Sequence, residues 1–482
     1  MAFFTTPYIV HKLGADAYGV LSIVSVAIGY FGFLDLGLGQ ATIKYVSEYY
    51  AKKDFKTIRE IIGTSLVVYC IMGFVGAVIL ASLTGILVTR VLKIPPNLIN
   101  TSFFAFYISA LGFLINMPLN VFGSIPGALQ RFDIINKIGI CIGTIQTGLT
   151  VLLLYLGYSL KQIIVMNLLI SILSVSIYLI VSKKLLPQIQ IKPAFSKTMF
   201  GKLFKFGGFL TIGRLTIPIG TELGKFLIGI FHPISFVTYF TIPYTLASKL
   251  WAIPSSIISA IFPATSELFS RNQAKILQEL HLRSTKYVMA VVVPISVLLI
   301  VFAKEILGLW MGPDFAVKSA FSLRILASAI LISCSAQTSV IAARGAGRPD
   351  IPAKIQVLQA VINIALCFLL IPRWGINGIA MAWLVHHIVC MPMIIGITNR
   401  QIVKISNLRF IKDGLVTPLI LGGIIPCLLI PLRSFMSGLK ELLILFIFVG
   451  IIYTIIAYFV ILDVKDRSIA LDYLHKIVGK PS

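Results

Sequence analysis

Carboxylates are scarce in this chain: 17 Asp and Glu stand against 41 Lys and Arg, and charged residues make up only 12% of 482. Long polar loops are missing too, and so are the motifs of nucleotide and metal chemistry. Neither a GxxxxGK[ST] phosphate loop nor an HExxH helix occurs, so energy from ATP would need a separate subunit and zinc-dependent hydrolysis has no ligand set. Cys70, Cys141, Cys334, Cys367, Cys390 and Cys427 all fall inside apolar runs, without CxxC spacing or a neighbouring His cluster. No disulfide framework or metal site is therefore expected; these thiols pack. No catalytic residue and no resident cofactor is expected either.

What is present is apolar length. Hydrophobic residues reach 58% and mean hydropathy is +0.97. A water-soluble chain of this size could not cover so much apolar surface, so lipid is the solvent. Apolar runs fall near 18–41, 61–88, 101–123, 134–157, 161–182, 204–231, 236–264, 286–308, 318–341, 352–371, 375–398, 413–432 and 440–463. Each holds about the twenty residues a helix needs to cross the bilayer, and the ten-residue alternation of barrel strands is absent. The expected class is all-α and polytopic, with about thirteen full spans.

Lys and Arg fall on alternate loops. Lys44, Lys52, Lys53, Lys56 and Arg59 crowd the 44–60 loop, whereas 89–100 holds only Arg90 and Lys93. Lys183, Lys184, Lys192, Lys197, Lys202 and Lys205 occupy 183–205, and 232–235 has no Lys or Arg. The basic side is cytoplasmic by the positive-inside rule, which places the carboxyl terminus there in a cell (plasma or inner) membrane. The net charge of +24 is thus mostly topology, with attraction to an anionic inner leaflet, and not a nucleic-acid footprint. This orientation puts the start of the chain outside, where residues 1–10 look like the end of a first helix whose beginning is missing; restoring it would make fourteen spans.

A weak repeat runs through the chain. Arg131-Phe-Asp133-Ile134 with Lys137 matches Arg348-Pro-Asp350-Ile351 with Lys354; Ser47-Glu48 matches Ser266-Glu267; Gly157 matches Gly375. All offsets are near 217–221 and matched pairs share a predicted side, so the halves form a parallel repeat. The expected organisation is an amino-terminal bundle at 1–182 and an amphipathic cytoplasmic linker at 183–203. A second bundle follows at 204–398, and two added spans with a basic tail fill 399–482. Each bundle has six helices. In the linker, Met199, Phe200, Leu203 and Phe204 form an apolar face among lysines, as in helices that lie on a membrane surface.

Few charges interrupt the spans: Asp35, Arg214, Glu222, Lys225, Lys249 and Arg324. A cation at the bilayer centre costs about 2.5–3.5 kcal/mol, so four of them call for a wet interior or partners. Thr211, Arg214, Pro218, Thr221, Glu222 and Lys225 fall within about 100° of helical arc, with about 16 Å of rise from Arg214 to Lys225. Glu222 and Lys225, three residues apart, can equally neutralise each other, and Lys225 and Arg324 can snorkel. Lys249 lies beside Trp251 in a run broken by Pro243 and Pro254, which suits a gating helix. His386-His387 sits mid-span; adjacent side chains diverge by about 100°, so at most one faces a cavity, and helix-to-helix hydrogen bonding competes with a proton relay. The surplus of cations over carboxylates points to an anionic substrate, plausible as a phosphate group.

Several motifs then stand in a telling order. Pro7-Tyr8-Ile9, Lys12-Leu13-Gly14, Ala17-Tyr18-Gly19 and Asp35-Leu36-Gly37-Leu38-Gly39 running into Lys44-Tyr45-Val46 resemble the amino-terminal signature of polysaccharide (O-antigen, Wzx-type) flippases. Gly127-Ala-Leu-Gln130-Arg131-Phe132, Gly345-Ala-Gly347-Arg348 and Gly375-Ile-Asn-Gly378 are similar to recurring positions of the same family, within the multidrug/oligosaccharidyl-lipid/polysaccharide exporter superfamily. The resemblance implies two six-helix bundles around a cationic cavity, with alternating access driven by an Na+ or H+ gradient. It implies a polyprenyl-pyrophosphate-linked oligosaccharide as substrate, and polysaccharide polymerase and chain-length machinery as partners. On this reading Arg214, Lys225, Lys249 and Arg324 hold the pyrophosphate, and Asp35 or Glu222 binds the coupling ion. The family's Asp in the first helix of the second bundle has Glu222 at about its place, and Val237 replaces a Gly. A flippase for lipid II fits the cavity equally well. A cation-coupled drug antiporter would favour carboxylates in the cavity, and a glycan polymerase or ligase would need larger outer loops.

Overall fold

A computed structural model describes residues 2–189, 192–427, 430–431, 438–462 and 467, and every regular element among them is helical. The first eight helices are α1 (Ala2–Leu13), α2 (Ala15–Phe31), α3 (Leu38–Ala51), α4 (Phe55–Ile86), α5 (Ile99–Ala128), α6 (Phe132–Tyr155), α7 (Leu160–Leu185) and α8 (Lys197–Phe231). Next come α9 (Ser235–Ser248), α10 (Ala252–Ser270), α11 (Ala274–Val301), α12 (Ala303–Met311), α13 (Pro313–Ser335) and α14 (Gln337–Gly345). The last are α15 (Asp350–Thr398), α16 (Asn407–Arg409), α17 (Thr417–Cys427) and α18 (Leu439–Val460).

Polar residues start these helices where the sequence leaves an apolar run. Asp54 caps α4 by accepting from the Thr57 amide at 3.0 Å and the Thr57 hydroxyl at 2.6 Å. Ser159 and Gln162 form a reciprocal box at the start of α7, and Ser196 opens α8. Such caps satisfy amides that have no partner within the helix. The Asp54 carboxyl is held below its ordinary value by these Thr57 bonds, and that of Glu48 by Lys52, which donates to it at 2.7 Å.

Seven helices among the described residues are long and apolar enough to cross a membrane, or eight if the bent α1–α2 pair, turning 114° across Gly14, is one span. The runs read from hydropathy map onto helices that break or merge differently. The run at 18–41 is interrupted by a 3-10 turn at Gly32–Asp35, and that at 236–264 by another at Lys249–Trp251. Conversely, 352–371 and 375–398 lie in one helix kinked at Gly375, where φ is +53°. Hydropathy averages over such breaks because a turn inside an apolar run keeps the run's composition.

Apolar side chains face outward along the spans: Ile71 and Phe74 on α4, Leu169 on α7, Phe368 and Leu369 on α15, Ile444 and Ile447 on α18. Only 11% of the apolar window of α6 is buried, against 72% for that running through α13 and α14. A surface of this kind is stable only in hydrocarbon, so the chain is a multi-pass membrane protein. The α6 helix meets lipid on most sides, whereas α13 forms the heart of its own unit.

Packing divides the chain into two compact units, Met1–Thr238 and Tyr239–Ser482. The restart of the sequence pattern near 204 is a different division, because α8 packs on α2, α3 and α4 of the first unit. In the segment expected as an interfacial linker, Leu186, Ile189 and Leu203 are buried in the first unit's core and Met199 and Phe200 pack against it. Residues from Lys197 onward are the opening turns of α8, and Phe195 and Phe204 remain exposed.

The repeat recurs at the level of single hydrogen bonds. Arg131 grips Asp133 through Nε and Nη2 at 2.9 and 2.9 Å; Arg348 grips Asp350 identically at 2.9 and 3.0 Å. The preceding residues, Gln130 (φ +56°) and Gly347 (φ +73°), are both left-handed. The Arg131 amide donates to Pro126 at 2.8 Å, and that of Arg348 to Ala343 at 2.9 Å. The Lys53 and Asn272 turns match in the same way, with φ of +56° and +54°, each followed by a helix. Glu48–Lys52 and Glu267–Arg271 are the corresponding ion pairs, at 2.7 and 3.0 Å.

Candidate functional site

In the first unit the chemistry gathers where α2 breaks. Gly32–Asp35 forms a 3-10 turn, after which Leu36 and Gly37 adopt φ of +47° and +67° before α3 begins. The Gly32 amide bonds the Gly29 and Tyr30 carbonyls as α2 tightens into this turn. Asp35, half-buried, accepts a hydrogen bond from the hydroxyl of Tyr69, a fully buried residue of α4. The break is clamped from the other side. A Cβ on Gly37 would overlap the Gly207 carbonyl of α8, and one on Gly207 would lie 2.6 Å from the Leu36 carbonyl. Both positions require glycine for this close approach, and Gly37 also for its left-handed backbone.

Further along α8, Lys225 is buried and Glu222 half-buried. The Lys225 ammonium donates to both carboxylate oxygens of Glu222 at 3.1 Å. The mutual neutralisation weighed from the i,i+3 spacing is therefore present. Within low dielectric such a pair persists because separating it strands a charge. Arg214, with Thr211, Pro218 and Thr221 of the expected polar stripe, lies outside the residues whose side chains are described.

The other two cations belong to the second unit. Lys249 opens the 3-10 turn between α9 and α10 and is exposed; Arg324 on α13 is half-buried. Neither forms an ion pair among the described residues. The turn is anchored by Trp251, whose indole donates to the Ser333 hydroxyl of α13 at 3.4 Å and packs on Trp383 with ring centres 5.8 Å apart. Structure thus brings Glu222 to Lys225 and assigns Asp35 a tyrosine partner, while Lys249 and Arg324 have no ion-pair partner among the described residues.

His386 and His387 are both buried, with ring centres 4.1 Å apart. The Nδ1 of His386 lies 3.1 Å from the Asn363 amide, on the other side of the Gly375 kink, and His387 Nδ1 lies 2.7 Å from the Trp383 carbonyl. The Asn363 contact ties His386 to the preceding helical segment, whereas His387 bonds within its own helix. Sequence reading missed Tyr69 and Gly207. Tyr69 sits in an uninterrupted apolar run and Gly207 in a Gly-Gly step, and neither signals a contact with residues more than thirty positions away.

A family model described as polysaccharide biosynthesis protein matches residues 13–320. Among individual relatives, a putative O-antigen transporter of Shigella flexneri is 22% identical over 386 residues, covering 78% of this chain and 88% of that protein. A probable low-salt glycan biosynthesis flippase of Haloferax volcanii is 25% identical over 191 residues, 40% of each chain. Among solved structures, the lipid II flippase MurJ in an inward closed conformation matches with a TM-score of 0.71 at 13% identity, covering 94% of this chain and 96% of that one. An inward-facing multidrug-resistance MATE transporter of the MOP superfamily matches at 0.68 and 12% identity, covering 84% and 96%. The relatives with a stated role are transporters and flippases, not enzymes. Helical architecture, the signature around Asp35 and the matched span of 308 residues agree: the chain belongs to the polysaccharide biosynthesis protein family and carries the fold of the MOP-superfamily transporters.

Proposed function

We propose that this protein is a flippase that carries a polyprenyl-diphosphate-linked oligosaccharide from the cytoplasmic to the outer leaflet for surface polysaccharide assembly, using an ion gradient. The observation that carries the reading is a pair of cations, Lys249 in the turn between α9 and α10 and Arg324 on α13, that form no ion pair among the described residues. Unpaired cations at membrane depth are retained for an anion, and the diphosphate supplies two such groups. Arg214 and Lys225 add to this set from α8. Lys225 reaches a phosphate by exchanging its Glu222 partner for it, so arrival of substrate releases a carboxylate.

Asp35 is the coupling site on this reading. It stands at a helix break, and its Tyr69 partner supplies a hydroxyl to an incoming Na+ or to the carboxylate whose proton is exchanged. The lipid tail remains in the bilayer throughout. The cytoplasmic carboxyl terminus and a working association with polymerase and chain-length machinery belong to the same proposal.

The test is complementation. A cell lacking its own polysaccharide flippase should regain surface polymer when this chain is expressed, and Arg214→Ala should lose it while still inserting in the membrane. Inserted protein that yields no surface polymer and binds no polyprenyl diphosphate would sink the reading.

A further inference from the structure

The opening turns of α8 carry a face that the packing of the first unit leaves uncovered. On one side of the helix Leu203 is buried in the core and Met199 packs against it. On the other side Phe200, half-buried, and Phe204, 46% exposed, join Phe195, 57% exposed, in a ladder with ring centres 5.7 and 5.7 Å apart. At about 100° per residue Lys197, Phe200 and Phe204 fall within about 60° of arc, with Lys205 about 80° beyond. Lys192, Lys197, Lys202 and Lys205 are all exposed.

The ladder is fixed in this outward position by its backbone. Residues 192–196, which precede the helix, are tied to α4. The Thr64 hydroxyl donates to the Ala194 carbonyl at 3.3 Å and accepts from the Ser196 amide at 3.1 Å. A Cβ on Gly63 would lie 2.9 Å from the Lys192 carbonyl, so this segment rests directly on α4. Phe195 is therefore held away from the core, and a contiguous apolar patch of this kind marks a surface that something else covers.

Charge identifies the cover. Six lysines lie between 183 and 205, and the chain has no Asp or Glu between Asp133 and Glu222. Among the described residues none of Lys192, Lys197, Lys202 and Lys205 forms an ion pair. Glu48, which feels Lys44 and Lys202, is already bonded by Lys52 at 2.7 Å. An apolar partner helix would cover the rings and leave the lysines unpaired. A free phosphate would use the lysines and leave the rings bare. A phospholipid with an anionic headgroup satisfies both, its apolar part against the rings and its phosphate among the ammonium groups.

We propose that Phe195, Phe200 and Phe204, with Lys197 and Lys205, form a binding site for an anionic phospholipid of the leaflet on the basic side. Its occupancy holds the opening turns of α8 in place. These turns lead to Gly207, whose close approach to Gly37 clamps the break at Asp35. The site is separate from the transported substrate and takes its ligand from the bilayer itself.

The experiment titrates purified full-length protein in phosphatidylcholine nanodiscs with phosphatidylglycerol, and separately with inorganic diphosphate, following thermal melting and the lipid retained in native mass spectrometry. Phosphatidylglycerol raises the melting temperature and is retained; phosphatidylcholine and inorganic diphosphate do neither. Lys197→Gln combined with Lys205→Gln weakens phosphatidylglycerol binding by roughly twentyfold, about fivefold for each lysine, and flattens its dependence on salt. Phe204→Ala, at an exposed position, weakens it several-fold with the salt dependence unchanged. Lys354→Gln combined with Lys412→Gln, which removes two exposed lysines of the second unit, leaves it as in wild type. The site is overturned if phosphatidylcholine is retained as well as phosphatidylglycerol, or if inorganic diphosphate stabilises equally. It is also overturned if the second-unit pair weakens binding as much as the α8 pair, or if Phe204→Ala binds as wild type does.

Discussion

Replacing Gly37 by Ala tests whether the helix break at Asp35 is held by the close approach of α8. Two costs combine at this position. The left-handed backbone at φ +67° penalises any Cβ by about 1–2 kcal/mol. The Cβ also overlaps the Gly207 carbonyl, and relieving such overpacking typically costs about 1–3 kcal/mol. The sum, roughly 2–5 kcal/mol, is a large part of a total stability of about 5–15 kcal/mol. Gly207→Ala carries the second cost alone, since its Cβ would lie 2.6 Å from the Leu36 carbonyl but its backbone is helical. Gly29→Ala is the control, because nothing lies within 4 Å of its Cβ and alanine favours a helix. In a thermal melt of detergent-purified protein, Gly37→Ala should fall by about 5–20 °C, Gly207→Ala by less, and Gly29→Ala not at all. Equal melting of Gly37→Ala and Gly29→Ala would refute the clamp.

Three further outcomes follow from the same geometry. Lys225→Gln leaves the half-buried Glu222 carboxylate without its cation and should destabilise by about 3 kcal/mol, whereas Lys225→Gln combined with Glu222→Gln should recover most of the loss; a double variant no better than the single would show that the pair does not act as a unit. Asp35→Asn should insert and melt like wild type yet lose the dependence of lipid flipping on an imposed pH or Na+ gradient in proteoliposomes, and retained gradient dependence would remove Asp35 from coupling. Because Asp54 has its carboxyl held below the ordinary value, its cap stabilises α4 fully above the unfolded carboxylate's pKa of about 3.9 and weakens as pH falls through the lower folded value. The melting advantage of wild type over Asp54→Asn should therefore be constant near neutrality and shrink in acid, and a gap that widened in acid would contradict the assignment.

How much of this was readable from residues alone follows from the range of each interaction. Solvent class, helical architecture and the repeat were legible because they rest on local composition and on short motifs. Arg131-Phe-Asp133 and Arg348-Pro-Asp350 fold into the same two-bond grip because both partners lie two residues apart. The Glu222–Lys225 pairing was legible as an alternative for the same reason, being one helical turn long. Breaks inside apolar runs were legible only where proline marked them, as Pro243 and Pro254 did for the run that turns at Lys249–Trp251, and not at Gly32–Asp35. Hydropathy is indifferent to whether Gly32–Asp35 or Lys249–Trp251 continues a helix, since a 3-10 turn changes hydrogen bonding without changing composition.

Sequence by itself determined that this chain lives in a bilayer, that it repeats, and that a few cations stand where lipid would not tolerate them. Tertiary structure decided which of those charges are spoken for. Glu222 holds Lys225, Tyr69 reaches Asp35, and Lys249 forms no ion pair among the described residues. It also decided that Gly37 and Gly207 meet, and that α8 packs with the helices before it. These are contacts between residues far apart in the chain, and an apolar helix carries no local mark of which neighbour its buried face will meet.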